Sequence, residues 1–432
     1  MPENQKGKHK KNRRRVLLLA YACSPYRGSE EEVGWQRALA AGKYYDSWVL
    51  YGMKSNKREV KRYLKENGNI PGVHFYYVPE TRIGRWMWKF PYGYYIAHYL
   101  WHRRAYRIAA KLHARLRFDI VHHVTWCGFR EPGYLWKLDA PFIWGPVGGT
   151  QNYPWPFLFQ AGLKGGLKEF VRNTLNIVQF RLQPRVRKAI RRTAVLLAAN
   201  STGKRHFERI YKVKPVHQLD VGTTAVRDLA MLNCTDHGPL RILWSGILED
   251  HKALHLLIMA LSKVPDTLEY ELRILGKGPL EKRWRGLARQ TGVDRYCKWM
   301  GWLVHEEAMA QYDWADVFIF TSLRDTCGAV VIEALSRGVP VICLDHQGAG
   351  DVVAEECGIK IPVTTPSRVI QRLREAIISI AKDRRKLDTL SEGAIERANR
   401  YLWSHKGQEM VELYRQVIDN SRVPHSKREH VA

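Results

Sequence analysis

Long apolar runs are missing: no stretch of this 432-residue chain approaches the roughly 18 consecutive apolar residues that a membrane-spanning helix requires. Metal-binding signatures are missing too, since there is no Cys-x-x-Cys, no Asp-x-Asp and no His-Glu-x-x-His. Seven cysteines, Cys23, Cys127, Cys234, Cys297, Cys327, Cys343 and Cys357, are scattered and odd in number. That argues against a disulfide framework or zinc ribbon and for a reducing compartment. Acidic residues run short in one half only. Residues 1–220 hold 41 Lys+Arg against 14 Asp+Glu, whereas residues 221–432 hold 29 against 28. The net charge of +28 therefore sits almost wholly in the first half. A cationic excess confined in this way points to an anionic partner: nucleic acid, acidic polysaccharide or anionic lipid.

What is present is a chain long enough for two domains, with 45% hydrophobic and 26% charged residues, an ordinary globular mixture. The start is basic from Lys6 to Arg15 and then apolar for the eight residues Val16–Cys23. This resembles a signal peptide, with a small-x-small triplet at Ala20 and Ala22. The apolar run equally suits a buried parallel strand, which is the reading adopted, with residues 1–14 as a basic disordered tail.

Apolar runs alternate with amphipathic stretches, the pattern of parallel βαβ units. In the first half, strands are predicted at Val16–Ala22, Ser47–Tyr51, Val73–Val78, Asp119–Val124, Phe142–Gly145 and Ala194–Ala199. In the second they fall at Leu240–Gly246, Glu271–Leu275, Lys298–Met300, Val317–Thr321, Val339–Leu344 and Ile359–Pro362. Helical stretches between them include Lys252–Lys263, Leu280–Gln290 and Ala329–Arg337. Two doubly wound α/β sheets follow, over residues 15–213 and 214–403. A last amphipathic stretch, at Lys406–Val417 within residues 404–420, completes the first domain. The end, from Pro424 to Ala432, reads as a frayed tail. Ligands of such sheets bind at the C-terminal ends of the strands, so two of them facing each other make a cleft.

The sharpest segment runs from Ala315 to Cys343 as strand, loop, helix, strand. Its loop carries Asp325, and Glu333 follows eight residues on. A helix starting near Gly328 turns its free N–H groups toward the cleft, ready for a phosphate. Asp325 at the strand end suits sugar hydroxyls, and Glu333 in the second turn suits a ribose diol. Taken in isolation, the two acids would also fit a surface turn and a helix surface.

This segment resembles the E-x7-E signature of family 4 glycosyltransferases, glycosyl transferase group 1, which have the GT-B fold of two Rossmann-like domains. Glu333-Ala334 and Gly338-Val-Pro-Val match that pattern, while Asp325 replaces the first Glu. The resemblance implies that Asp325 contacts a donor hexose and Glu333 the ribose, with Cys327, Gly328 and Ala329 at the helix start beside the donor. Leu240-Arg-Ile-Leu-Trp-Ser-Gly-Ile-Leu-Glu-Asp-His-Lys-Ala resembles the family's next loop. It puts Gly246 at the strand end, Lys252 on the diphosphate clamp, and Ile247 where the family has an arginine. Gly276 and Gly278 resemble its G-x-G-P turn. Gly301, Trp302 and Leu303 lie where the nucleobase is bound.

In the first half, Gly28 in Tyr26-Arg-Gly-Ser-Glu-Glu-Glu resembles the family's loop that reaches the donor phosphate. Phe118-Asp-Ile-Val-His-His-Val-Thr resembles the strand that ends at an active-site histidine. His122 and His123 lie on opposite faces of that strand, and which one meets the cleft stays open. Trp144-Gly-Pro-Val-Gly-Gly-Thr is expected to shape the acceptor pocket. The resemblance implies transfer of a hexose from a nucleotide-diphosphate sugar to a hydroxyl acceptor, with retention and with neither metal nor cofactor. Arg82–Tyr95 interleaves cations with aromatics. Leu163–Arg192 is basic, with Phe170, Leu175, Ile177, Val178 and Leu182 on one helical face. That combination favours an anionic membrane interface. The expectation is a cytoplasmic, peripheral enzyme at the inner face of the membrane, acting on a lipid-linked or saccharide acceptor. An ordinary core helix with a basic rim is the plainer reading of the same residues. A nucleic-acid-binding protein on the same scaffold is the alternative function; the charge suits it, but no recognition motif supports it.

Overall fold

The computed structural model describes residues 13–231 and 238–422; Cys234, most of the N-terminal basic tail and the segment from Pro424 lie outside the described residues. The first sheet is built from β1 (Arg15–Ala20), β2 (Asp46–Tyr51), β3 (Val73–Tyr77), β4 (Ile120–Thr125), β5 (Phe142–Val147), β6 (Thr193–Ala198) and β7 (Val216–His217). The second holds β8 (Leu240–Ser245), β9 (Tyr270–Leu275), β10 (Cys297–Gly301), β11 (Val317–Phe320), β12 (Val341–Leu344) and β13 (Gly358–Ile361). Strand order is β3-β2-β1-β4-β5-β6-β7 in one and β10-β9-β8-β11-β12-β13 in the other, and every pairing is parallel. Each is a doubly wound sheet whose order reverses beside its first strand, the place where ligand crevices form.

The strands read as unbroken apolar runs because both faces are covered by helices. Val16 to Ala20 are all buried, and so is the whole of β4, histidines included. The last helix, Trp403–Arg422, returns from the second sheet to the first. It buries Met410, Val411, Tyr414, Val417 and Ile418 among Val16, Leu18, Tyr45 and Ile120. Beside it the two chain crossings between the sheets are stitched together. Thr223 donates its N–H to the Tyr401 carbonyl at 3.0 Å, and Trp403 donates to the Thr223 carbonyl at 2.9 Å.

The stretch around Leu163–Arg192 forms two helices, Gly162–Leu182 and Pro184–Arg192. The longer one is inside-out. It buries Glu169, Asn173, Asn176 and Phe180, and leaves Leu163, Leu167, Phe170, Leu175, Val178 and Leu182 exposed. The polar face is held by backbone. Asn173 accepts from the Tyr153 N–H at 3.0 Å and donates to its carbonyl at 2.7 Å, and Asn176 donates to the Thr150 carbonyl at 3.2 Å. The ordinary core helix is therefore the reading that does not apply here.

Candidate active site

Three glycines close the strand ends of the second sheet. Gly246 donates to the Leu275 carbonyl at 3.0 Å, and Gly276 donates to the Gly301 carbonyl at 2.7 Å. Gly276 has φ +119°, and a Cβ there would lie 2.0 Å from the Gly246 carbonyl oxygen, so only glycine fits. Trp302 follows at 69% exposure, and Ile247 is also exposed.

Next to this floor, Lys252 ends a single 3-10 turn, Asp250–Lys252. Its carbonyl accepts from the Thr321 hydroxyl at 2.8 Å, which accepts in turn from the Trp244 indole at 3.0 Å. These bonds anchor the turn to the end of β11, and the Lys252 ammonium is ion-paired to the Asp325 carboxylate. Burial alone would push the Asp325 carboxyl up. The Lys252 charge and hydrogen bond outweigh it and hold the group below the usual aspartate value. The backbone also fixes this loop: the Asp325 N–H donates to Gln347 Oε1 at 2.6 Å, and the Thr326 N–H to Asp325 Oδ1 at 2.9 Å.

The same loop touches the first domain. Asn200 donates to the Thr326 carbonyl at 2.7 Å, and the Cys327 thiol to the Ala199 carbonyl at 3.3 Å. The cleft is thus closed around Asp325. Gly328, at φ +66°, caps the helix Ala329–Ser336. Between Gly28, Ser29 and Glu32 on one side and Ala329 and Glu333 on the other lies a cavity of about 190 Å³. Glu333 accepts from the Tyr312 hydroxyl at 3.2 Å. Burial raises the Glu333 carboxyl, against the pull of His305 and Tyr312. Burial, with Glu333 adding to it, pushes Glu32 up to about 7, although the Trp403 indole opposes the shift. The structure so brings together Gly28, Ala329 and Glu333 in one place, and Lys252 with Asp325 in an adjoining one.

It does not bring either histidine to that cavity. Both rings are fully buried. His122 is bracketed by the Tyr414 hydroxyl at 2.6 Å from Nδ1 and the Gly145 carbonyl at 2.7 Å from Nε2. His123 points the other way, against the His102 ring at 4.8 Å. Burial above all lowers His122 to about 3 and His123 to about 4, so both stay neutral. The C-terminal helix covers one face of the strand and helix Gly93–Leu116 the other.

The sequence puts Ile247 at the family's arginine position; Arg324, which adjoins Asp325 and was not singled out there, is a second cation beside the loop. Arg324 Nη2 lies 3.0 Å from Glu169 Oε1 on the inside-out helix. His251 feels both cations: burial first, then Arg324 and Lys252, lower it to about 3.

Residues 234–397 match the family described as Glycosyl transferases group 1. That match lies within the second sheet and its helices, and the two facing doubly wound sheets give the chain the GT-B fold. Among curated proteins, an Escherichia coli protein named as a candidate glycosyltransferase of colanic acid biosynthesis is 31% identical over 143 residues, 31% of this chain and 35% of that one. The chain thus spans about a third of the length of that relative. Among solved structures, a lipopolysaccharide outer core galactosyltransferase superposes with a TM-score of 0.64 at 13% identity, covering 94% of this chain and 99% of that one. An Anabaena protein in complex with UDP superposes with a TM-score of 0.58 at 15% identity, covering 93% and 100%.

Proposed function

We propose that the protein transfers a hexose from a nucleotide-diphosphate sugar to a hydroxyl acceptor, in the assembly of cell-surface polysaccharide or glycolipid. The observation that carries this is the facing of Gly28 and Glu333 across a cavity beside the Lys252–Asp325 pair. Cleaving the bond between the anomeric carbon and the diphosphate leaves negative charge on the leaving oxygens. Lys252, exchanging Asp325 for phosphate, and the N–H groups after Gly328 stabilise that charge. One preorganised donor of this kind contributes about 3–4 kcal/mol. Asp325, released, accepts from sugar hydroxyls, and Glu333 holds the ribose diol. Closure of the two domains keeps water from the activated sugar.

The reaction proceeds with retention and without a metal, in keeping with the absence of an Asp-x-Asp motif from the chain. The protein works at the inner face of the membrane. Supporting this are the exposed Ile83, Trp86, Tyr92, Leu163 and Leu167 set among the cations of the first half. No helix among the described residues is long and apolar enough to cross a bilayer. The test is calorimetry with a panel of nucleoside diphosphates and their sugars. One is expected to bind strongly, and Lys252→Ala and Glu333→Ala to weaken it. Unchanged affinity in both variants refutes the site. Flotation on liposomes with and without anionic lipid tests the surface, and binding that ignores lipid charge refutes it.

A further inference from the structure

The largest concavity among the pockets described is not the donor cavity. It is a groove of about 1370 Å³ between the start of helix Gly93–Leu116 and the inside-out helix Gly162–Leu182. One wall is the exposed apolar stripe Leu167, Val171, Leu175, Val178 and Leu182. At 1.5 Å per residue that stripe is about 22 Å long. The other wall carries Tyr92, Tyr95 and Ile96, exposed as well. An apolar trough this long, on a helix that has turned its polar face inward, is unexpected on a surface left to water.

One flank of it is cationic. Arg130, Arg172 and Arg324 all line it. Arg130 donates to Asn176 Oδ1 at 2.6 Å, and Arg172 to the Gln151 carbonyl at 3.3 Å, both neutral acceptors. Arg324 alone meets a carboxylate, Glu169, at 3.0 Å. Arg185, also there, is balanced by Glu131 at 2.6 Å. Three guanidinium groups thus share one acid. Two polar atoms in that contact remain buried without hydrogen-bond partners, Arg324 Nε and Glu169 Oε2. The crowding is visible in Arg172, which burial, and then the charge of Arg324, lowers to about 10. Arg324 adjoins Asp325 in the chain, so the cationic flank of the groove reaches the donor loop.

We propose that this groove is the acceptor site, and that it takes a lipid-linked acceptor: a long hydrocarbon chain along Leu167–Leu182, joined through phosphate to the group that receives the sugar. Arg130, Arg172 and Arg324 hold the phosphate, with Arg324 exchanging Glu169 for it. Charge complementarity selects this occupant over a neutral lipid or an apolar peptide, because an uncharged ligand would leave the surplus cations buried and unmatched. The arrangement also bridges the domains: Arg324 belongs to the donor domain and Arg130 and Arg172 to the first, so a bound phosphate draws both domains to one ligand. The proposal rests on the transferase reading above, and nucleoside diphosphate binding is measured on the same samples so that the two fail separately.

The experiment titrates the full chain with prenyl phosphate in detergent below its micellar concentration. The alcohol of the same chain length, and inorganic phosphate, serve as controls. Prenyl phosphate is expected to bind at least tenfold more tightly than either. Arg172→Gln and the exposed-stripe variant Leu175→Asp are each expected to weaken it at least fivefold, with nucleoside diphosphate affinity unchanged. Equal affinity for phosphate and alcohol overturns the arginine assignment. Wild-type prenyl phosphate binding by Leu175→Asp overturns the groove, and if that variant at the same time loses flotation on anionic liposomes the face is a membrane-contact surface instead. Joint loss of nucleoside diphosphate binding in both variants also counts against the proposal, since it would mean that the substitutions act through unfolding.

Discussion

Replacing Lys252 with methionine keeps the length of the side chain and removes its charge, leaving Asp325 without its ion-pair partner. Breaking a buried pair from one side costs about 3–5 kcal/mol. Here 21% of the Asp325 side chain is still exposed, so about 2–3 kcal/mol is expected at pH 7.5. The pH dependence carries more information than the magnitude. In the wild type the Asp325 carboxyl titrates below its usual value, so its contribution is present at neutral pH and lost only in strong acid. In Lys252→Met burial, the largest influence, is opposed only by His251 and the Thr326 N–H, and the carboxyl moves up instead. A raised carboxyl favours the folded state at low pH. The stability gap between variant and wild type should therefore narrow from pH 7.5 to pH 5, read by urea denaturation at each pH. Lys252→Met/Asp325→Asn, with no charge left to strand, should recover at least half of the loss. A gap that stays constant or widens toward pH 5, or a double variant no better than the single one, refutes the reasoning.

Glu32 titrates at about 7 against a usual 4.5, so its folded-state contribution fades as pH rises across that interval. Glu32→Gln should be neutral at pH 5 and raise stability by about 2–3 kcal/mol at pH 8; equal effects at both pH values would contradict it. Tyr414→Phe strips the hydrogen bond from His122 Nδ1 in the core and should cost about 1–3 kcal/mol with nucleotide affinity intact. Weaker nucleotide binding at unchanged stability would return His122 to the site. Gly276→Ala drives a methyl into the Gly246 carbonyl at positive φ, and should cost at least about 3 kcal/mol or block folding. A variant with wild-type melting behaviour would mean that the strand-end floor is looser than described.

Most strands could be read from the chain because each is a short apolar run between turn residues; Ser47–Tyr51 differs by one residue from the observed β2. The two-residue β7 escaped notice because Val216 and His217 are exposed and no apolar run announces them. The helix expected from Lys252 starts at Leu254, since Ala253 adopts φ 49° and breaks the turn. Periodicity also gave an apolar face around Leu175, but it cannot tell an inner face from an outer one. That was decided by Asn173 and Asn176 reaching carbonyls of the loop at 150–153. The histidines teach the same lesson. Alternation put them on opposite faces, yet what covers each face comes from distant chain, Tyr414 for one and His102 for the other.

The paired crossing at Thr223 and Trp403 has a mechanical consequence. Two polypeptide links side by side act like the two pins of a door, allowing rotation about one line while resisting sideways drift. The halves can then swing apart to admit a donor and return to the same register. Cutting either link should free the halves to slide, and trimming the chain before Tyr414 would unseat the opposite half rather than the one it follows.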